Sequence, residues 1–351
     1  MEMSKLKLAV VGPGLIGKKH IDLILRHPQC ELAAIVAPKT EENIEISKGL
    51  NTPLFGDLNA MFELLSVSGV IVSSPNIFHV RQASECINRN IPVLVEKPIA
   101  HSYEEGLALM NLVEKNKGKL LVGHHRTYSS IIRVAQKIIQ EGRLGQIVAV
   151  MGSALFFKPD QYFRDGPWRT EAGGGPILIN LIHEIGNLRA LCGEISSVQA
   201  MTSNKVRHFP VEDTAAINFR FESGALGTFI LSDTASSARS WEQTAGENLS
   251  YPNYQDEDCY TVSGTNGTLA IPSMRLKYFG HDEEKSWWKP FLEEQISYER
   301  RDPLEEQLNH FINVIKGNEL PQVTAFDGLQ NLKIIEAIYE SAEQEKVISV
   351  Q

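Results

Sequence analysis

Residues 12–17 read GPGLIG, directly behind the apolar run LKLAVV and directly ahead of a helical pattern that extends through His27. A glycine cluster between a strand and a helix constrains the fold tightly. Each glycine has a separate physical role: Gly12 permits the tight turn, Gly14 lets main chain approach a pyrophosphate, and Gly17 lets helix and strand pack closely. The first helical turn then offers free N–H groups and the positive end of its dipole to phosphates. Gly12, Gly14, Leu15, Ile16 and Gly17 are therefore the expected dinucleotide contacts.

The rest of the first third fits this start. ELAAIVA (31–37), GVIVSSP (69–75), IPVLVEKP (91–98) and KLLVG (119–123) are short apolar runs with helical segments between them. Ser102 and Glu105 have capping-box spacing ahead of one of these helices. Nearly continuous apolar strands alternating with helices predict a doubly wound parallel sheet covered on both faces, a Rossmann domain over 1–123. Beyond about residue 145 the pattern changes. QIVAVMGSALFF, ISSVQAMTSN, TAAINFRFESGALGTFILSDT and CYTVSGTNGTLAI read as longer strands, with ESG (222–224) and GTNG (264–267) as turns. A second α/β domain over 124–351, built on a large, open-faced, mostly antiparallel sheet, follows. Two helices near 303–317 and 325–344 close the chain.

Composition narrows the function classes. A net charge of -9 and the absence of a Lys/Arg-rich run argue against a nucleic-acid partner. Cys30, Cys86, Cys192 and Cys259 lie far apart with no metal-ligand spacing, so free thiols in a reducing compartment and no metal site are expected. No apolar stretch is long enough to span a membrane. A cytoplasmic location follows as the default.

The second strand tests cofactor choice. An acid about 20 residues after the last glycine would bond the ribose 2′-hydroxyl of NAD. That position is Ala37, with Lys39 and Thr40 beyond it. A lysine and a hydroxyl can accept a 2′-phosphate, so the reading is NAD(P), leaning towards NADP. Glu41 or Glu42 folding back would restore a preference for NAD.

GPGLIG, SSPNIFH (73–79), VEKPIA (95–100), GHHRTY (123–128), the glycine run with His183, and VEDTAAINFRFESGALGT (211–228) stand in one order over nearly the whole chain. Together they resemble the Gfo/Idh/MocA oxidoreductases, which include inositol and glucose–fructose dehydrogenases. The resemblance implies that Ser74, Pro75, Asn76, His79, Glu96 and Lys97 border the cofactor, and that Lys97 bonds the reacting hydroxyl. It also implies an often cis Lys–Pro bond. The residues agree at this point. Lys97 sits at the C-terminal end of a strand, where α/β sheets place ligands, and Pro98 fixes its direction. A positively charged nicotinamide nearby would favour the neutral amine and so proton sharing with an alcohol.

The stretch GGGPILINLIHEIG (173–186) carries the second catalytic candidate, His183. In the family an Asp precedes this His by four residues; here that residue is Ile179. The residue three after it, often acidic, is Gly186. Asn180 shares a helical face with His183 and offers a neutral hydrogen bond. Glu184 points elsewhere on a helix. Without a carboxylate beside it, His183 is expected to be a weaker base, to face the nicotinamide cleft, and to follow glycines that let main chain pass close to substrate. A buried structural histidine is the alternative.

Further polar and aromatic residues cluster near these anchors. Arg126 and Tyr128 follow the last Rossmann strand, beside His124 and His125. Tyr162, Arg164, Trp168 and Arg169 precede the glycines. The polar loop 240–252 carries Trp241, Glu242, Gln243 and Asn248. Of these, Arg126, Tyr128, Tyr162, Trp168, Arg169 and Trp241, together with Asn180, are the expected substrate contacts. The whole reads as an NAD(P)-dependent dehydrogenase acting on CH–OH of a sugar, cyclitol or related polyol. A homodimer or homotetramer through the exposed second sheet is expected. The alternatives are an NAD-dependent glycosidase with transient sugar oxidation and a non-enzymatic dinucleotide or sugar sensor.

Overall fold

The computed structural model describes residues 5–280 and 284–350. The chain divides into two compact units, one of residues up to His125 together with Leu304–Leu332, the other of Arg126–Pro303 with the residues from Lys333 onward. Residues 304–332 thus pack with the first unit, although the sequence reading assigns them to the second domain. The helix Pro303–Lys316 explains why. Phe311 and Ile315 fill the space beside Gly69, where even an added Cβ would meet Ile315 at 2.8 Å. Lys119 Nζ also donates to the main-chain carbonyl of Val314 at 2.9 Å.

In the first unit, strands β1 (Leu6–Val11), β2 (Cys30–Val36), β3 (Leu54–Phe55), β4 (Gly69–Val72), β5 (Val93–Glu96) and β6 (Leu120–Gly123) form one sheet in the order β3-β2-β1-β4-β5-β6. Every pairing is parallel. Strand β3 has two residues, too few to read from periodicity. All four residues of β4, of β5 and of β6 are buried, as expected when helices cover both faces. The Ser102 hydroxyl caps the helix Tyr103–Asn116 by accepting from the Glu105 N–H.

The second unit holds β7 (Ile147–Leu155), β8 (Ile195–Ser203), β9 (Thr214–Phe221), β10 (Leu226–Ser232), β11 (Tyr260–Gly264), β12 (Gly267–Ile271), β13 (Arg275–Tyr278), β14 (Leu292–Gln295) and β15 (Ile348–Ser349). They form one sheet in the order β14-β13-β12-β11-β7-β10-β9-β8-β15. All pairs are antiparallel except β7 with β10. The period-2 pattern sorts its faces. Ala215, Ile217, Phe219 and Phe221 are buried, while Ala216, Asn218 and Arg220 between them are exposed. Burying each of these phenylalanines contributes roughly 1.5–3 kcal/mol. The other face stays open, with Met151, Met201, Leu226 and Ile230 exposed on it. Among the described residues no helix is long and apolar enough to cross a membrane.

Candidate functional site

In the first unit the glycine turn has the geometry its spacing predicts. Gly12 adopts φ +82°, and a Cβ there would lie 2.7 Å from Ser74 Cα. At Gly17 a Cβ would meet the Gly12 carbonyl oxygen at 2.1 Å. Ser73 Oγ ties the two loops together by donating to the Val11 and Gly12 carbonyls at 2.9 and 2.8 Å. Gly14 differs from the other two, because a Cβ there would meet nothing within 4 Å. Gly14 begins the helix Leu15–Arg26, which has no side-chain cap and no acid in its first turn. The first-turn N–H groups therefore face an open surface with uncompensated positive potential, which suits a pyrophosphate. Leu15 is 79% exposed at the same end.

The ribose position also lacks a carboxylate. Ala37 is buried, with its N–H donating to the Phe55 carbonyl at 2.9 Å. Thr40 spends its hydroxyl capping the helix Glu41–Gly49, and Glu42 pairs with Lys18 at 3.0 Å. Lys39 is exposed beside them.

Two expected cofactor contacts prove to be internal fasteners. Glu96 is 5% exposed, and its carboxylate meets His20 Nε2 at 2.8 Å. His79 is buried, with its ring nitrogens 2.8 Å from the carbonyls of Pro98 and Ser74. Its ring clamps the SSPNIFH loop to the segment after β5, and so fixes Ser74, Pro75 and Asn76 without offering itself to a ligand. Lys97 follows β5 directly, is half-buried, and precedes Pro98 through a cis peptide bond.

In the second unit, Ile177–Leu181 forms a π-helical turn that runs into the α-helix Ile182–Cys192. The α-helical spacing used to place Asn180 beside His183 therefore does not hold through this segment; π turns are rare and concentrate at functional sites. His183 is 9% exposed. The glycines before it serve a different purpose from the expected close approach to substrate. A Cβ at Gly175 would lie 2.6 Å from Glu212 Oε1, and one at Gly174 would lie 2.6 Å from the Arg169 carbonyl oxygen. Glu212 Oε1 accepts the Ile177 N–H at 2.8 Å, so this carboxyl holds the entry to the π turn.

Glu212 also makes a pH prediction. Burial pushes its carboxyl up to about 7 from an ordinary 4.5, against hydrogen bonds that favour the charged form. A carboxyl raised on folding stabilises fully below its unfolded value, and that contribution is lost as pH rises through the folded value. Glu212→Gln should therefore lose stability relative to wild type at about pH 5 and gain on it by about pH 7. Denaturant unfolding across that range checks this, and parallel curves would contradict it.

Several expected substrate contacts are buried in the core of the second unit instead. Arg126 is 3% exposed and bonds Glu184 Oε1 through Nη1 at 2.5 Å and Glu242 Oε1 through Nη2. Tyr260 donates its hydroxyl to the other oxygen of Glu184. Burial lowers the Arg126 pKa, but Glu184 and Glu242 together outweigh it, so the guanidinium stays charged. Burial pushes Glu184 up to about 7, opposed by Arg126 and reinforced by Glu242. Trp241 is 3% exposed, and its Nε1 donates to Glu247 Oε2 at 2.9 Å. Tyr128 is buried as well. Loop 240–252, read as a polar loop, contains the short helix Trp241–Thr244 pinned by these contacts.

Tyr162 and Asn180 do come together. They line a cavity of about 650 Å³ with Lys158, Glu242, Gln243 and Tyr251. Arg169 stacks over the Tyr162 ring at 4.0 Å and so backs that wall, with the exposed Trp168 beside it. Arg164 bonds Gln161 and Asn248 closes its own turn by accepting the Ser250 N–H. His124, expected near this region, is buried in the first unit against Asn331. The sequence reading missed Lys158 and Tyr251. FFKP after β7 was the available signal for the first, a lysine fixed by a following proline as at Lys97. Among the described residues no group of three or more His, Cys, Asp or Glu is placed to hold a metal ion.

Comparison with known proteins agrees with this architecture. Residues 6–124 match a model described as the oxidoreductase family, NAD-binding Rossmann fold, and residues 132–270 match the GFO/IDH/MocA C-terminal domain. The 2,7-anhydro-N-acetylneuraminate hydratase of Escherichia coli (strain K12) is 26% identical over 267 residues, which cover 75% of this chain and 66% of that protein. Inositol 2-dehydrogenase of Rhizobium meliloti (strain 1021) is 22% identical over 349 residues, 98% of this chain and 99% of that protein. The crystal structure of the WlbA dehydrogenase from Bordetella pertussis, in complex with NADH and UDP-GlcNAcA, matches with a TM-score of 0.79 and 24% identity over 98% of both chains. At that identity the likeness is one of fold.

Proposed function

The chain belongs to the Gfo/Idh/MocA family of oxidoreductases, and on that premise we propose that it is a dehydrogenase acting on CH–OH of a sugar, cyclitol or related polyol. A bound NAD(P) would supply the hydride-accepting or hydride-donating ring. The uncapped helix start at Gly14 carries this reading, because an open, positively poled turn beside Gly12 and Ser74 fits a pyrophosphate.

The remaining roles fall to the chain. Ser74 and its neighbours, held by His79, border the cofactor. Lys97 shares the proton of the reacting hydroxyl, and His183 is the second proton-handling group. Asn180 and Tyr162 receive ring hydroxyls in the second unit's cavity. Arg126 braces the cavity wall through Glu242, Tyr128 and Trp241 are buried in the second unit, and these three residues do not touch substrate. The exposed apolar side chains on the open sheet face support a homo-oligomer formed there.

Cofactor preference follows from Ala37 and Lys39. NADP(H) should bind at least as tightly as NAD(H), and Ala37→Asp should shift preference towards NAD, since a carboxylate repels a 2′-phosphate and bonds a 2′-hydroxyl. Calorimetric titration of both proteins with both cofactors checks this. Much tighter NAD(H) binding by the wild type would contradict it.

A further inference from the structure

The π turn Ile177–Leu181 is held from outside its own stretch of sequence. Helix starts are usually capped by the residue just before them, but Pro176 precedes this one with no side-chain cap. The caps come instead from distant elements of the second unit. Glu212, just before β9, accepts the Ile177 N–H through Oε1 at 2.8 Å, across 35 residues of sequence. Tyr339, on the closing helix Ala325–Gln344, donates its hydroxyl to the same oxygen at 3.4 Å and also bonds the Leu178 main chain. The glycine run is shaped for this carboxyl. Gly173 and Gly175 adopt φ +87° and +80°, left-handed values that favour glycine, and a Cβ at Gly175 would stand 2.9 Å from Glu212 Cδ.

A π turn closes its hydrogen bonds over one more residue than an α turn and is rare. Without its hold the same residues can wind as α-helix, with the surplus residue taken up by the flexible glycines ahead. Side chains in the turn would then rotate by about 100°, one α-helical position. Asn180 is the residue at stake. It lines the cavity beside Tyr162, and its Oδ1 accepts from Lys158 Nζ at 2.7 Å. Its neighbours Ile179 and Leu181 are apolar and cannot replace it. Glu212 lines a different cavity, with Tyr339, Thr202 and Ser203, so it reaches Asn180 only through the turn.

We propose that Glu212 is a positioning residue for substrate: by accepting the Ile177 N–H it keeps residues 177–181 in the π register that presents Asn180 to the cavity. Tyr339 secures the same register through Leu178. Both act through main chain, and neither is a substrate contact. The inference rests on the dehydrogenase reading only in taking the cavity at Asn180 as the substrate site.

Glu212→Met removes the acceptor at similar volume. With the best substrate from a panel of sugars, cyclitols and uronates, its KM should rise about 10-fold, the worth of roughly one hydrogen bond, while kcat and cofactor affinity change less than about 3-fold. Glu212→Gln keeps an oxygen for the Ile177 N–H and should restore most of that loss. In an Asn180→Ala background Glu212→Met should add little, because the two act as one unit. Hydrogen exchange of the peptide 176–183 should quicken in Glu212→Met while β9 and β10 stay as in wild type. Tyr339→Phe removes only a hydroxyl, should move KM and exchange in the same direction, and serves if the methionine variant folds poorly. An unchanged KM in both Glu212→Met and Tyr339→Phe, a glutamine variant as impaired as the methionine one, an undiminished KM rise on top of Asn180→Ala, or unaltered exchange in the turn would each overturn the inference. If no panel member is turned over, the dehydrogenase reading fails, and exchange of 176–183 still decides this one.

Discussion

Lys97→Met is expected to lower kcat by roughly 10²-fold or more while leaving cofactor affinity nearly unchanged. The size follows from losing a proton-sharing group. The selectivity follows from its position, since the proposed pyrophosphate contacts lie in the separate turn at Gly12–Gly17. Lys97 is half-buried at the C-terminal end of β5, and its neighbours are fixed independently of it: Glu96 by His20, Pro98 by His79. The variant should therefore fold. Steady-state kinetics on the best substrate from a polyol and uronate panel reads the effect. Near-normal turnover would return Lys97 to an ordinary loop lysine.

His183→Ala is expected to fold, keep its cofactor affinity and lose most turnover, again roughly 10²-fold. The histidine is 9% exposed, so the structural alternative makes a distinct demand. A core histidine would leave a cavity, and its removal would lower the melting temperature by several degrees with the surviving folded enzyme turning over normally. Melting curves and kcat measured on the same preparation separate the two. The family Asp is Ile179 here, and Glu184 does not replace it: its carboxylate is held by Arg126 and Tyr260 within the core.

Both experiments address residues that the sequence singles out, and what was legible around them was local. The GPGLIG turn, the end of β5 and the capping box at Ser102 are each set by a few consecutive residues, so spacing alone describes them. The apolar runs placed five of the six parallel strands for the same reason. What escaped depends on distant partners. Arg126 reads as a ligand-facing arginine until Glu184 and Glu242, 58 and 116 residues away, claim its guanidinium. Trp241 and Glu96 are lost to the site in the same way. The glycines at 174 and 175 read as letting main chain pass close to substrate until Glu212 and Arg169 are seen packed against them. The π turn at 177–181 breaks the period on which helical-face arguments rest. Lys158 escaped because tertiary packing sets it against Asn180, Tyr162 and Phe156, and the proline after it was the one local signal.

Net redox chemistry on a hydroxylated substrate can be measured directly. Purified protein is given NADP+ or NAD+ in excess over enzyme with a panel of sugars, cyclitols and uronates, and reduced nicotinamide and product are quantified together. At least one substrate is expected to yield reduced cofactor in equal amount to oxidised product over many turnovers. Substrate consumed with no net reduced cofactor, as in transient oxidation, or tight cofactor binding with no consumption of any panel member, would contradict it.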